Sequence, residues 1–363
     1  MRKHLKFVAL CLIAGLLLAW FGWNLDWAEV SADIARARWP LIALAVVVVW
    51  LTYLIRAFRW KTLLAPLAPR ASLREAFAAT TVGFGAIFLL GRAGEVVRPA
   101  FLPLRDRAVR PGAAFVTIAL ERVCDTAAVI ILFAANLLVL RLPGVDPKDY
   151  ALVREAGLIL LVGAVAALAA LFWFRRHARA ATSWLEPRLV KLPRVLRRAG
   201  EIAVGLLGQF AQTLGVLTDA RTLLVTVGWT AALWAAITFA NMLVLRAFGL
   251  GVGASETVFV LGWSLVGSIV PTPGAGAGTY HAATAHGLMK YLGFPETEAK
   301  SAVIILHLVV FGSSLFFGLY YFLRSRLSVA RLRELVATEE AAAEAESRRA
   351  EDSTISTLNP VRD

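Results

Sequence analysis

The chain has 363 residues, of which 59% are hydrophobic and 17% charged, and a formal net charge of +13. That apolar share exceeds the roughly half found in soluble domains and excludes an ordinary soluble enzyme. The positive charge lies mostly in short loops between apolar runs rather than as a stripe on a soluble module, which excludes nucleic acid as a partner and indicates an integral membrane protein.

A spanning helix needs about 20 mostly apolar residues. The first such run, 5–23, follows Arg2, Lys3 and Lys6 and ends in Trp20, Phe21 and Trp23 with no small-x-small cleavage site. A retained helix is therefore expected rather than a signal peptide. Residues 24–39 form a loop carrying Asp26, Glu29 and Asp33 against Arg36 and Arg38, and 40–58 is the next crossing. Loop 59–75 carries Arg59, Lys61, Arg70 and Arg74. The apolar stretch 76–90 is too short to cross; it meets GRAGEVVRP at 91–99 and returns through 100–111, which predicts a re-entrant hairpin.

Two further crossings follow at 112–140 and 152–174, and then a basic loop at 175–200 with Arg175, Arg176, Arg179, Arg188, Lys191, Arg194, Arg197 and Arg198. Residues 201–217, with Gln209 and Gln212, read as an interfacial amphipathic helix. The segment 222–248 crosses, and 256–292 is a second re-entrant hairpin broken by PTPGAGAGTYH. The run 297–323 crosses last, giving six spans, and Arg324, Arg326, Arg331 and Arg333 follow it. Basic loops face the cytoplasm, so both termini are expected inside a bacterial-type cytoplasmic (inner) membrane. Residues 1–326 form the membrane domain, and 327–363 a charged cytoplasmic tail, largely disordered. Cys11 and Cys124 both lie in apolar runs and form no disulfide framework or metal motif.

The order of these segments suggests a repeat. Helix 40–58, hairpin 76–111 and helix 112–140 make one unit; helix 222–248, hairpin 256–292 and helix 297–323 make another. The first hairpin starts from the cytoplasmic side and the second from the other, so the units are opposite in orientation. Inverted repeats with Gly/Pro-broken segments at matching positions are a signature of secondary transporters, whose substrate sits near the midplane. The expected fold is thus an all-α polytopic membrane protein with about six spanning helices and two re-entrant hairpins.

Ionisable residues inside these segments mark the site. Glu121, Arg122 and Asp125 lie within 112–140, with Glu121 and Asp125 on one helix face and Arg122 in reach of Asp125. Each is costly in lipid and has to point inward and find a partner. Arg92, Glu95 and Arg98, three apart, are the natural partners; Arg56 and Arg59 complete a possible ring, with interfacial snorkelling as the plainer reading for those two. Five arginines against three acids give 5 − 3 = +2, a surplus of guanidinium suited to an anion such as phosphate. Two readings stand: an anion-binding cavity wall, or a salt-bridge network that holds the hairpin to the helix.

In the second hairpin Pro273, Gly274 and Gly276 break the helix and free backbone groups, and a helix starting near Ala277 would aim its positive end at an anion. Tyr280 and His281 follow. His281 is open to three readings: proton carrier, phosphate ligand or buried hydrogen-bonding residue. His281 and His286 are five apart and share no face well, so no metal site is expected; His307 stands alone in its helix. No DxD, phosphate-loop, G-x-S-x-G or HExxH motif is present, and no cofactor is expected.

The stretches GRAGEVVRPAFL, ALERVCD and PTPGAGAG together resemble the lysylphosphatidylglycerol synthase transmembrane-region family, a flippase-like membrane domain. The resemblance spans about residues 5–325 and implies translocation of an anionic phospholipid or polyprenyl-phosphate-linked lipid. Bifunctional members also carry a soluble aminoacyl-transferase domain, which has no counterpart in this sequence, so a stand-alone member is expected. In many relatives a glutamate follows the Pro-Gly-Gly segment; Tyr280 and His281 stand here instead. The alternatives are a scaffold or partner subunit for a cytoplasmic lipid-modifying enzyme, docked on 175–200, and a membrane-embedded transferase.

Overall fold

The computed structural model describes residues 15–140 apart from 17 and 24, a discontinuous set within 151–173, and 220–325 apart from 271, with the side chains of 92 and 93 left out. These residues are helical with no strand among them. The expectations for most of 5–23, for the loop 175–200, for 201–217 and for the tail fall outside the described residues. Of the crossing expected at 152–174, a helical stretch at 157–166 is described.

The helices are α1 (Trp27–Arg36), α2 (Trp39–Leu64), α3 (Leu73–Leu90), α4 (Val97–Arg105), α5 (Pro111–Val139), α6 (Ala220–Ala247), α7 (Ala254–Gly267), α8 (Thr279–His286), α9 (Glu296–His307) and α10 (Ser314–Arg324). Among the described residues, α2, α3, α5, α6 and the combined run Glu296–Arg324 are long and apolar enough to cross a membrane. Their outward surface agrees, since Leu44, Val47, Leu51, Leu224, Val227, Leu319 and Leu323 are exposed large hydrophobics. The protein is a multi-pass membrane protein.

Three details differ from the sequence reading. The segment 24–39 is not a plain loop but holds α1, begun where Asp26 caps the helix by accepting the Ala28 and Glu29 amides at 2.9 and 3.2 Å. The arm expected at 76–90 starts earlier, at Leu73, and with 18 residues it has spanning length. The final crossing is interrupted by a π turn at Leu308–Gly312, a local widening that leaves the Ser313 carbonyl free to accept the Trp50 indole N–H at 3.2 Å.

Helices α3 and α4 form an antiparallel hairpin. Glu75 in the first turn of α3 pairs with Arg105 in the last turn of α4 at 2.5 Å, and Asp106 accepts the Ser72 amide at 2.7 Å. Both ends of the hairpin therefore lie together. Glycines permit the close approach: a Cβ on Gly83 would strike the Arg98 side chain at 2.5 Å, and one on Gly94 would strike the backbone of Ala86 and Ile87. The reversal is a 3-10 turn over Gly91–Val96. Helices α7 and α8 form the second hairpin. A Cβ on Gly267 would meet the Thr279 carbonyl at 2.6 Å and one on Gly287 the Trp263 ring at 2.8 Å, while Trp263 stacks on Tyr291 with centroids 5.5 Å apart.

The two units pack in a corresponding order, although the contacts differ in extent. The first helices, α2 and α6, run antiparallel: Phe58 stacks on Trp229, and the Arg38 amide bonds the Ala247 carbonyl at the other end. Each hairpin's first helix then lies antiparallel to the other unit's last. Helix α3 packs on α10 through Phe77–Tyr321 and Gly85–Gly318. Helix α7 packs on α5 through Phe133–Phe259 and a reciprocal pair in which Asn136 donates to the Ser255 carbonyl and accepts from its hydroxyl, at 3.0 and 2.8 Å. The hairpin tips meet, because a Cβ on Gly91 would lie 2.8 Å from the Thr272 carbonyl oxygen.

Candidate functional site

The charged residues gather where α2, α4, α5 and α6 converge. Glu121 and Asp125 lie one turn apart on α5 and face inward, as four-residue spacing requires. Arg59 of α2, fully buried, sits between them. Its guanidinium bonds Asp125 through two nitrogens, at 2.6 and 3.0 Å, and donates from Nε to Glu121 at 3.2 Å. A third contact reaches the hydroxyl of Thr230 on α6 at 3.1 Å. Arg59 is therefore not a snorkelling residue; two carboxylates hold it in the interior, and it ties the two units together.

Arg98 reaches the same Glu121 from α4, at 2.5 Å from Nη1. Its guanidinium lies over the Trp60 ring, 4.3 Å from the centroid, a cation–π contact that favours a desolvated arginine. The indole N–H of Trp60 donates to Thr117 at 2.9 Å. Thr117→Val is expected to cost about 1–3 kcal/mol, since it leaves that buried N–H unpaired while keeping the side-chain volume; chemical or thermal unfolding in detergent measures it.

Arg56 is more loosely held, 3.6 Å from Asp125, over the Phe84 ring at 4.7 Å. Its Nε and that of Arg98 are buried without hydrogen-bond partners. The pairing expected between Arg122 and Asp125 is long, at 3.8 Å, and the Arg122 side chain is 43% exposed. Glu95 does not join the network: it is exposed. It and Arg122 line, with Arg98, Gly83, Phe84, Ile87 and Ile118, a small cleft of about 20 Å³. The interior set of Arg56, Arg59 and Arg98 against Glu121 and Asp125 carries 3 − 2 = +1. Arg92 lies on the turn beside this cleft, and its side chain is outside the described set.

The second hairpin tip is a separate cluster. Gly274, Ala275, Gly276 and Gly278 all have positive φ, so the chain is irregular here, with Pro273 opening the turn. Helix α8 starts at Thr279, two residues beyond Ala277. Its leading amide is already used, because Gly278 N–H donates to His281 Nδ1 at 3.3 Å; that amide is not free for an anion. Tyr280 and His281 are buried and face His307 of α9, with centroids 4.9 and 4.6 Å away. His286 turns instead to Trp263 and Tyr291. No group of three His, Cys, Asp or Glu suited to a metal ion occurs among the described residues.

The sequence reading missed Trp60, Thr117 and Thr230 as partners of the arginines, and His307 as the partner of His281. An indole at i+1 from Arg59 was the one available signal; the threonines look like any others in an apolar helix. The family model described as lysylphosphatidylglycerol synthase TM region matches residues 7–318. Comparison with curated proteins gives no match.

Proposed function

The chain belongs to the lysylphosphatidylglycerol synthase TM region family, and from that premise we propose that it translocates an anionic lipid across a bacterial-type cytoplasmic membrane, with its basic loops and both termini inside. The observation that carries this reading is the division of labour among the arginines. Arg59 is saturated by carboxylates and fixes the scaffold. Arg98 and Arg122 line a small cleft that would have to widen to admit a headgroup, and the nearby Arg56 and Arg98 retain unpaired Nε–H groups. A phosphate entering that cleft would meet charge-assisted donors in fork geometry. Glu95 at the cleft and Glu121 behind Arg98 would exchange those arginines with the phosphate, and acyl chains would remain in lipid. On this reading Pro273, Gly274, Gly276, Tyr280 and His281 would form the far wall of the path once the hairpin tips part.

A leaflet-resolved assay in proteoliposomes tests it, comparing fluorescent anionic, zwitterionic and polyprenyl-phosphate lipids. The wild type is expected to move one phosphate-bearing anionic class. Arg98→Ala and Glu121→Gln are expected to lose that movement while remaining monodisperse in detergent. A wild type that moves none of the three lipids would overturn the reading. A scaffold for a lipid-modifying enzyme would then be the better account, supported by the closed Arg59–Glu121–Asp125 core, with the partner captured through 175–200.

A further inference from the structure

We infer that His281 and His307 form a single-proton site at the junction of the two hairpin tips, and that its protonation parts the tips. The inference rests on the translocation reading, for which it supplies the coupling ion. Both imidazoles are buried, 6% and 5% exposed, and their centroids are 4.6 Å apart. Two positive charges at that spacing in an apolar shell repel strongly, so the pair accommodates one proton.

The groups facing the pair come from every surrounding element. Tyr280 and Phe311 lie against His307 at 4.9 and 5.1 Å, and Phe88 from the end of α3 at 6.0 Å. Phe21 lies against His281 at 5.4 Å; over that ring stands Lys300, which pairs with Glu296 at 2.6 Å. No carboxylate among the described residues is paired with either imidazole. The fixed surroundings therefore favour the neutral pair, and an added proton disturbs them.

What the proton would disturb is the tip itself. His307 abuts the backbone of Gly274 and Ala275, and its Nε2 is buried without a hydrogen-bond partner. Ala275 has φ of 53°, the one non-glycine residue with positive φ among those described, and such a conformation is held only by its surroundings. The same tip carries Thr272 and Pro273, against which Gly91 of the other hairpin packs. A charged imidazole seeking carbonyl oxygens at 274 and 275 would pull on the segment that closes the tips together.

The site also lies close to the arginine cluster. Phe84 and Phe88 are one turn apart on α3; the first contacts Tyr53 and Arg56, the second His307. The Tyr53 hydroxyl lies beside Ser313 and Ser314, and both that hydroxyl and Ser313 Oγ are buried without a completed hydrogen bond. Ser313 directly follows the π turn that begins after His307, and such turns recur at functional sites. Unpaired polar atoms thus run from the histidine pair toward the cluster that would receive the phosphate.

Two measurements on the full chain test the proton site. In the first, hydrogen–deuterium exchange over 268–278 is compared at about pH 5.5 and about pH 8, a range spanning histidine titration, after correction for chemical exchange rates. The wild type and His286→Gln are expected to open at the lower pH, and His281→Gln and His307→Gln to show no difference. In the second, fluorescent phosphatidylglycerol is followed in phosphatidylcholine vesicles under an imposed gradient. One proton coupled per headgroup gives an accumulation ratio of about tenfold per pH unit; His307→Gln is expected to give about onefold. Exchange that is independent of pH in the wild type, or a wild-type ratio of about onefold although lipid moves, overturns the proton site and leaves translocation standing. Histidine-dependent opening in a protein that moves none of the anionic, zwitterionic and polyprenyl-phosphate lipids supports the proton site and overturns translocation.

Discussion

Arg59→Leu is expected to destabilise the protein by about 3–5 kcal/mol, the cost of leaving a buried ion pair with one partner removed. Asp125 would keep only its long contacts to Arg56 and Arg122 and Glu121 only Arg98, and Thr230 would lose the link between the units. Arg59→Lys keeps the charge but not the fork and is expected to fall between the two, because an ammonium cannot serve both carboxylates in the plane that a guanidinium does. Combining Arg59→Leu with Asp125→Asn is expected to restore part of the loss, since a neutral amide tolerates the interior better than a carboxylate without its main partner, while Glu121 keeps Arg98. Thermal or denaturant unfolding in detergent reads all four proteins. A loss for Arg59→Leu of under about 1 kcal/mol, the range of a solvated surface pair, would mean that the cluster is hydrated and the buried-network description is wrong.

Gly91→Ala is expected to be strongly destabilising for a single added methyl. Two costs add at this position. Its φ of 64° and ψ of −148° suit glycine and strain any residue with a Cβ, at about 1–3 kcal/mol. A Cβ there would also lie 2.8 Å from the Thr272 carbonyl oxygen, a backbone collision of the overpacking kind that costs about 1–3 kcal/mol more. Gly249 separates the two terms, having φ of 79° with open space around its missing Cβ. Gly249→Ala therefore carries only the conformational term, and the difference between the two variants measures the tip-to-tip contact. Equal losses would show that the tips do not touch in the folded protein.

The membrane class, the all-α fold and the spanning runs at 40–58, 112–140, 222–248 and 297–323 were legible in the sequence, because lipid imposes a one-dimensional rule: every backbone polar group must be satisfied within a long apolar helix. Helix α2 was expected over 40–58 and runs Trp39–Leu64; the extra residues 59–64 were hidden because Arg59 and Lys61 read as the start of a loop. The same misreading made Arg59 an interfacial residue. The residues of GRAGEVVRP and ERVCD could be picked out as costly in lipid, but not sorted among themselves. Composition and spacing show that a charge needs a partner; they do not show which of several arginines reaches which acid, since that depends on how residues 62 and 66 positions apart in sequence come together.

By itself, then, the sequence determined that the chain is a multi-pass helical membrane protein with glycine- and proline-broken segments and a surplus of interior arginine. Only the tertiary structure decided that Arg59 is the closed centre of the cluster while Arg98, Arg122 and Glu95 line the cleft. It also decided that His281 and His307 meet and that Gly91 rests on Thr272. The physical reason is that hydropathy acts on each segment against lipid independently of the others, whereas pairing and close packing are properties of which helix faces which, and those contacts join residues far apart in the chain.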